Sequence, residues 1–415
     1  MLLAFLFLLP WQTRYIWHYG ELNKGFWEYG TFSVYGTEIL LWIILTIFFV
    51  QHFIKKEFWV NLRTKPKRIS LILLLLALAL STALSKNFWV SYYFVFHLLE
   101  AMALMTVLTW EENKTKYRLA LWAGAVLQGA LAVWQFLTQY VWASKWLGMA
   151  GQEGYNLGPS VIEFADQRWL RAYGSFGSPN ALGIYLAVLF VLGLVLYLKI
   201  ESPRTKIIIS VGQLFVLSGL LVSFSRAAWL AAIVGMLCLF IFLFLKQKQW
   251  LYSFGKQAAF SVVVLIFWLI IFYPVFTARF NLNNRLEAKS IAERRGQYSE
   301  VLSFIKTNPV FGVGPGAYTD VLYAKFPTLY SWQYQPVHNI YLLALVEIGL
   351  AGVILLFFLF KQLFWQIIKN NLIYTPVVAT LFFAGLFDHW LWSMYTGVIF
   401  WWVIFGLGFI ITRGE

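Results

Sequence analysis

The sequence has few of the residues that build most familiar active sites. Its single cysteine, Cys238, lies inside an apolar run, which excludes an internal disulfide and a cysteine-based metal cluster. Its three aspartates, Asp166, Asp320 and Asp388, form no Asp-x-Asp pair of the kind that holds a divalent metal on a sugar nucleotide. No HExxH, Walker A or paired-cysteine motif occurs. The sequence therefore predicts a protein without a resident metal or cofactor.

Charged residues are also scarce. They make up 12% of the 415 residues, whereas 60% are hydrophobic and the mean hydropathy is +0.70. Soluble domains average about 25% charged residues, so this much apolar surface needs a bilayer rather than water. Apolar runs of about 20 residues recur, which is the length that a helix needs to cross an ~30 Å hydrocarbon core. The predicted fold is an all-α, polytopic transmembrane helical bundle.

Twelve apolar runs predict about twelve spans in a single membrane domain that covers residues 1–415. They fall at 2–17, 36–54, 69–85, 88–110, 119–143, 179–198, 207–222, 227–245, 258–276, 339–360, 374–390 and 396–411. The longest polar stretch, 277–338, is predicted to be one large extracytoplasmic loop between the ninth and tenth spans. Within it, Tyr298, Val301, Leu302 and Ile305 recur at helical spacing, which predicts an amphipathic helix along the membrane surface.

Basic residues orient the bundle. The loops 55–68, 113–118, 199–206, 246–256 and 361–369 carry lysines and arginines, and all fall on one side under this span count. That side is predicted to be cytoplasmic, which places 144–178 and 277–338 outside. The net charge of +14 follows from this bias and from an anionic lipid or substrate, and nucleic acid is not expected as a partner.

The outer segments contain a set of basic side chains. They are Arg168, Arg171, Arg226, Arg279, Arg285, Arg294, Arg295 and His338. Arg226 lies at a short turn between two spans, where a charge is costly unless it meets an anion. Its planar guanidinium suits bidentate contact with phosphate oxygens. From the residues alone, contact with membrane lipid headgroups is the favoured explanation for any one of these arginines.

Other ionisable residues leave two interpretations open. His338 stands where the polar loop gives way to an apolar run, so it is either a catalytic group or an interfacial residue. His97 and Glu100 share one helix face at i,i+3 spacing, and Glu100 and Glu347 lie within spans. Each of these glutamates is either packed against a polar partner or functional. Asp388 and His389 either neutralise an arginine or help to bind sugar.

Four stretches of the sequence resemble the O-antigen ligase and O-antigen polymerase superfamily of membrane glycosyltransferases. They are "LRAYGSFGSPNALGIYLA", "SFSRAAWLA", "RRGQYSEVLSFIKTNPVFGVGPGAY" and "PVHNIYLLALVEIGLAG". Their order and spacing fit over about residues 165–360, whereas the N-terminal part agrees only in hydropathy. One departure is that Tyr298 stands where the family commonly has tryptophan.

The resemblance implies roles for individual residues. His338 becomes the candidate catalytic base, and Arg226 and Arg294 become contacts to the diphosphate of the donor. Arg295 and Arg171 are further candidates for that diphosphate, with Arg294 preferred to Arg295 because it lies four residues before Tyr298. Asn339, Asp388 and His389 are candidates for a supporting role.

The predicted function is a metal-independent, inverting transfer of glycan. The donor is a polyprenyl-diphosphate-linked glycan, the acceptor is a hydroxyl of a glycan, lipid or protein, and the site faces outward from the cytoplasmic membrane. Ligase-type transfer is favoured, while a polysaccharide polymerase and a protein O-oligosaccharyltransferase of the same superfamily remain open. A transporter or flippase of lipid-linked sugars is a less favoured alternative, because it would place ionisable groups along a path at mid-membrane.

Overall fold

The computed structural model describes residues 1–53, 65–164, 167–281 and 285–409. Most of these residues are helical. The basic loop 55–68 lies largely outside the described residues, as does Asp166.

The helices, numbered here in chain order, fall into an N-terminal and a C-terminal series. The first series is α1 Leu2–Leu8, α2 Gly36–Phe53, α3 Lys65–Ala83, α4 Phe88–Trp110, α5 Lys114–Thr138, α6 Pro179–Lys199, α7 Pro203–Val222 and α8 Arg226–Lys246. The second series is α9 Leu251–Ile271, α10 Tyr273–Phe280, α11 Arg285–Thr307, α12 Tyr318–Lys325, α13 Ile340–Asn370, α14 Thr375–Ala384, α15 Trp390–Ser393 and α16 Tyr395–Gly408. Short 3₁₀ turns lie at Glu28–Gly30, Lys248–Trp250, Ser331–Gln333 and Leu372–Tyr374.

The strands are short and pair as antiparallel hairpins. They are β1 Arg14–His18, β2 Glu21–Leu22, β3 Gly25–Phe26, β4 Phe32–Tyr35, β5 Tyr140–Val141, β6 Gln152–Glu153, β7 Val161–Phe164 and β8 Gln167–Leu170. The pairs are β1 with β4, β2 with β3, β5 with β6 and β7 with β8. All of them lie between helices, so the molecule is helical with small β elements in its connections.

Seven helices of the described residues are long and apolar enough to cross a membrane. They are α4 to α8, α9 with the turn before it, and α13, and each coincides with a predicted span. Four shorter apolar helices, α2, α3, α14 and α16, lie where four more spans are predicted. The class of a multi-pass helical membrane protein is therefore confirmed.

The predicted first span, 2–17, is wrong. Helix α1 has seven residues, Leu2–Leu8, which at 1.5 Å per residue extends only about 10 Å. Pro10 follows its end, and proline cannot supply the backbone N–H that a continuing helix needs. The chain then enters β1 at Arg14.

Several helices begin with the same local device. Asn87, Ser178 and Ser202 each stand just before a helix, and their side-chain oxygens accept a hydrogen bond from a backbone N–H of the first turn. Proline occupies the first turn of α6 and of α7, where its missing N–H costs nothing. The residues directly before and within the first turn therefore determine where these helices begin.

The structure divides into two compact units. Unit 1 comprises 1–13, 113–293 and 371–384, and unit 2 comprises 14–112, 294–370 and 385–415. In unit 1, α6 is the central helix, because it is buried around almost its whole circumference and packs against α5, α7, α8 and α14. Its apolar residues continue round the helix, as expected for a span enclosed by other spans.

Unit 2 is built around two helix contacts, α16 with α4 and α13 with α3. A second core lies under the C-terminal part of α11, where Val301 and Phe304 pack with α12 and the start of α13. The prediction for the apolar face of α11 is only partly right. Val301 is buried, but Tyr298 and Leu302 are 40% and 57% exposed, because the face that meets the core runs through Phe304 instead.

Helix α13 is broken at Gly349, whose backbone adopts φ 65° and ψ −176°. The glycine-rich segment 309–316 docks on this break. Val313 and Gly314 donate their backbone N–H groups to the carbonyls of Val346 and Glu347, each at 2.9 Å. In return, Leu350 N–H donates to the carbonyl of Pro309 at 2.9 Å. The Gly-x-Gly-x-Gly run at 312–316 therefore lies against the break in α13.

We expect Gly349→Ala to destabilise the protein. A Cβ at Gly349 would lie 2.2 Å from the backbone oxygen of Val310, and alanine rarely adopts φ 65°. The free energy of unfolding should fall by about 2 kcal/mol or more. Thermal unfolding of the purified protein in detergent measures this. Gly255→Ala, at a position in α9 where a Cβ meets no atom within 4 Å, is the matched control and should not lower the melting temperature. Equal melting temperatures for Gly349→Ala and wild type would contradict the role given to the break.

Candidate functional site

His338 lies at the end of the loop, two residues before α13 begins at Ile340. The preceding residues, Pro336 and Val337, are buried, and the imidazole itself is half-buried. Its main contact is to Gln297 on α11. The backbone N–H of His338 donates to Oε1 of Gln297 at 3.3 Å, and Nδ1 of the ring lies 3.0 Å from the same oxygen.

This pair of contacts determines which ring nitrogen of His338 carries the proton. A backbone N–H only donates, so the Gln297 atom that it meets must be the amide oxygen rather than the nitrogen. An amide oxygen only accepts, so Nδ1 must be the N–H that points at it. Nε2 then carries the lone pair. His338 is thus held in the tautomer that accepts a proton through Nε2.

His389 is the second imidazole of the cluster. Its ring lies 5.2 Å from the His338 ring, centroid to centroid, at an interplanar angle of 72°. On its other flank, Tyr29 approaches edge-on at 5.8 Å. Nδ1 of His389 is 2.6 Å from Oγ of Ser393, one turn along α15. The ring is therefore fixed from three directions.

Burial lowers the pKa of His338 to about 4. The neighbouring His389 and the positive charge of Arg294 lower it too, while the carboxylate of Asp388 acts in the opposite direction. Burial also lowers the pKa of His389, again opposed by Asp388. Both imidazoles are consequently neutral near pH 7, which is the state that a general base requires.

The two candidate arginines of α11 differ in their surroundings. Arg294 is half-buried and lies one turn before Gln297, which places its charge close enough to act on His338. It forms no ion pair with any described residue. Arg295 is exposed and is not among the charges that act on His338. Of these two arginines, Arg294 is the one whose charge acts on the pKa of His338.

Two of the predicted supporting residues start helices. Oδ1 of Asn339 accepts from the backbone N–H groups of Tyr341 and Leu342 at 3.0 and 3.1 Å, which caps α13. Oδ1 of Asp388 accepts from the N–H of Trp390 at 2.9 Å at the start of α15. Asn339 thereby fixes the direction in which the chain leaves His338, and Asp388 does the same beside His389.

Arg171 and Arg226, the other two arginines predicted to contact the diphosphate, belong to unit 1, as does Arg279. Nε of Arg171 donates to the carbonyl of Ser223 at 2.9 Å, and Nε of Arg279 donates to that of Phe224 at 2.9 Å. Phe224 has φ 49°, a conformation that a non-glycine residue keeps only where its surroundings impose it. Arg226 begins α8 directly after this turn. Arg171 and Arg279 thus hold the turn that comes directly before Arg226.

Arg171 is nearly buried, with 8% of its surface exposed. Besides its bond to Ser223, it donates through Nη2 to Oδ1 of Asn180 at 2.8 Å. Two of its donors therefore support the protein itself. This is a structural use of a residue that the sequence suggested for the diphosphate.

Within unit 2, the structure brings together His338, His389, Asp388 and Arg294, and within unit 1 it brings Arg171 to the turn before Arg226. Sequence reasoning missed Gln297, Tyr29 and Ser393. The i,i+3 spacing of Arg294 and Gln297 was a signal for the first. Nothing local marks Tyr29, which reaches His389 only through the fold.

A cavity in unit 2 adjoins this cluster. Its lining includes Tyr29, Ser393 and Glu347, and it extends to Tyr395 and His97. Glu347 is packed against polar partners, since its Oε2 accepts from the indole N–H of Trp392 at 2.7 Å. Among the described residues, the side chains placed to hold a metal ion are Glu38, His97 and Glu100, and none of them is a predicted site residue.

We expect Arg171→Lys to destabilise the turn at 223–225. A lysine carries its donors on one nitrogen and does not reproduce the two separate N–H groups that meet Ser223 and Asn180. The loss should be about 1–3 kcal/mol, as for a buried acceptor left without its donor. Thermal unfolding in detergent measures it. Arg204→Lys, an exposed position at the start of α7, serves as the control and should melt like wild type. Indistinguishable melting of the two variants would contradict a buried anchoring role for Arg171.

Comparison with known families agrees with the resemblance seen in the motifs. Residues 211–357 match the family described as O-Antigen ligase. The matched segment contains Arg226, Arg294, Arg295, His338 and Asn339, while Arg171, Asp388 and His389 lie outside it. No curated protein matches the chain. This match over residues 211–357, about a third of the chain, supports the superfamily predicted from the sequence.

Proposed function

We propose that this protein is a membrane glycosyltransferase of the O-antigen ligase type. It transfers a glycan from a polyprenyl-diphosphate carrier to an acceptor hydroxyl at the outer face of the cytoplasmic membrane, with inversion at the anomeric carbon and without a metal in the reaction. The observation that carries the proposal is the state of His338. Inside the matched O-antigen ligase domain, a neutral imidazole is held with Nε2 as its proton acceptor.

The reaction needs one base. The acceptor oxygen attacks the anomeric carbon, the bond from that carbon to the phosphate oxygen breaks, and the hydroxyl proton passes to Nε2 of His338. The leaving group is the polyprenyl diphosphate. A one-step displacement from the opposite face inverts the anomeric centre. General-base assistance of this kind contributes about 10²–10⁴-fold in rate.

The reaction also needs a cation for the departing diphosphate. Arg294 supports this role because it is half-buried, lies beside the His338 cluster and is not taken up by an ion pair with a described carboxylate. The family resemblance also assigns Arg226 to binding of the donor diphosphate, with Arg295 as a further candidate. A guanidinium group can bind two phosphate oxygens at once through two parallel N–H···O hydrogen bonds. In a poorly solvated site, this stabilisation of negative charge is strong. Arg171 acts through the turn that precedes Arg226.

The proposed orientation comes from the basic loops. The short loops that connect spans carry lysine and arginine on one side, which supports a cytoplasmic location for that side. The segments 144–178 and 277–338, with His338 at the end of the second, then face outward. We propose that 277–338 is the extracytoplasmic loop of one membrane domain. The lipid-linked donor and the acceptor are proposed to bind at this loop.

We expect His338→Ala to lower the transfer rate by about 10²–10⁴-fold, because the acceptor hydroxyl loses its base. Arg294→Ala and Arg226→Ala should each cost about 10²–10³-fold, as for loss of one group that stabilises transition-state charge. The measurement is transfer from a polyprenyl-diphosphate-linked glycan by the purified full chain in vesicles. His18→Ala and Arg204→Ala, both at exposed positions, are the matched controls.

Folded His338→Ala protein with a near-wild-type rate would overturn the assignment. The length of the glycan tests the acceptor class. Inactivation of a ligase leaves full-length chains on the lipid carrier, whereas inactivation of a polymerase leaves short ones. Short chains would replace the ligase proposal with polymerisation, while transfer to serine or threonine of a protein would replace it with O-oligosaccharyl transfer.

Gln297 is proposed as a positioning residue that selects the tautomer of His338. Gln297→Leu removes the acceptor for Nδ1–H, so kcat should fall by roughly 10-fold or more with little change in KM. Gln297→Glu keeps the acceptor and adds a negative charge, which raises the pKa of His338.

The pH profile separates these two variants from a general loss of structure. In wild type, His338 loses its basicity only as the pH falls towards about 4, so kcat/KM should be level above about pH 5. In Gln297→Glu, the acid limb of the kcat/KM profile should move to higher pH. Its activity at neutral pH should be close to that of wild type and well above that of Gln297→Leu. An acid limb at the same pH in both proteins would contradict contact between Gln297 and the base.

A further inference from the structure

Three ionisable side chains meet inside unit 2, away from the residues assigned to the reaction. Glu38 lies in the first turn of α2, and His97 and Glu100 lie on one face of α4. Their exposed fractions are 1%, 5% and 5%. One ligand atom from each lies within 4.8 Å of the other two.

Each carboxylate is held through one of its oxygens, and the other oxygen of Glu38 lies near His97. Oε2 of Glu38 accepts from the backbone N–H of Tyr35 at 2.9 Å, and Oε1 of Glu100 accepts from the indole N–H of Trp42. Nε2 of His97 lies 3.4 Å from Oε1 of Glu38 but forms no hydrogen bond. Oε2 of Glu100 and Nε2 of His97 are buried without a partner among the described residues.

The lysines and arginines of the described residues do not compensate the charge of this group. No lysine or arginine of the described residues forms an ion pair with Glu38 or Glu100. Arg14, which approaches the adjacent Tyr35, is held by both carboxylate oxygens of Glu28, at 2.5 and 2.8 Å. Two carboxylates buried without a counter-charge are unstable, so they require a cation or protons.

We propose that Glu38, His97 and Glu100 bind a divalent cation of the zinc class. An imidazole nitrogen with two carboxylate oxygens is a donor set that suits Zn²⁺, whereas Ca²⁺ and Mg²⁺ prefer oxygen ligands. At metal–ligand distances of about 2.1 Å, tetrahedral ligands stand roughly 3.4 Å apart. The Glu38–His97 separation of 3.4 Å already has this value, and only Glu100 must move closer.

The surroundings of the three side chains hold the proposed ligands in place. The rings of Tyr93 and Tyr395 pack on His97, with centroids 4.3 and 5.0 Å away. Tyr35 and Trp42, which hold the outer oxygens of the two glutamates, orient the ligands. The ion joins α2 to α4. It takes no part in the proposed transfer reaction.

The test is metal binding by the full chain in detergent, stripped with a chelator and then titrated with CoCl₂ alone. We expect one equivalent of Co²⁺ with visible d–d absorption, displacement by one equivalent of ZnCl₂, and a rise in melting temperature. Glu100→Gln, which is isosteric, and His97→Gln should each weaken Co²⁺ binding by at least about 10–100-fold. That is the usual loss of affinity when a residue that supports a metal ligand is removed, and loss of a ligand itself should cost no less. His389→Gln and the exposed His18→Gln should bind like wild type, since neither belongs to the site.

The outcomes separate this site from its alternatives. No uptake of Co²⁺ or Zn²⁺ by wild type overturns the inference and leaves protons as the compensation for Glu38 and Glu100. Uptake that is lost in His389→Gln but kept in Glu100→Gln also overturns it, because the ion would then lie at the imidazole pair. If His97→Gln cannot be purified in a folded state, Glu100→Gln alone decides, with unchanged affinity counting against the site.

Discussion

Helix α13 breaks at Gly349, and the segment that follows α11 restores the hydrogen bonds that the break would lose. In a bilayer, a backbone N–H or carbonyl without a partner costs several kcal/mol, so a broken span persists only where other protein groups satisfy it. Val313 and Gly314 donate to the carbonyls before the break, and Pro309 and Val310 accept from the N–H groups after it. Positive φ values at Gly312, Gly314 and Gly316 let the segment lie this close. Much of unit 2 depends on this exchange.

The exchange brings together parts of the chain that are far apart in sequence. From the docking point, α11 runs back ten residues from Thr307 to Gln297, about 15 Å, and α13 runs back seven from Glu347 to Ile340, about 10 Å. Gln297 in the middle of α11 and the start of α13 therefore lie near one another, and Gln297 reaches His338, 41 positions away. The buried cluster of Val301, Phe304 and Val346 fills the space between them. Packing, rather than a local motif, sets the contact that selects the tautomer.

The chemistry assigned to the site follows from a division of labour between residue types. Histidine suits the base because burial and neighbouring positive charge keep it neutral. Arginine suits the diphosphate because its charge survives burial and its N–H groups form a fork. The protein uses further arginines to build: Arg171 and Arg279 hold the turn before Arg226 through backbone carbonyls. Arginines proposed for the substrate and arginines that support the backbone thus occur in the same chain, and composition alone does not separate the two groups.

The amino-acid sequence was enough to predict the membrane environment and the helical class, and it carries the resemblance to the O-antigen ligase superfamily. Apolar runs of span length, few charges and basic loops on one side indicate a multi-pass helical membrane protein, because the bilayer imposes these features on any chain that crosses it. Helix starts at Asn87, Ser178 and Ser202 were likewise readable, since a cap acts within one turn. The tertiary structure was needed to show that Leu2–Leu8 is a short helix and that the core face of α11 runs through Phe304. It was also needed to show that Gln297 contacts His338. It also decided that Glu38 joins His97 and Glu100. These contacts join distant positions, and the energy that selects them comes from burial and backbone hydrogen bonding across the fold, which no local pattern records.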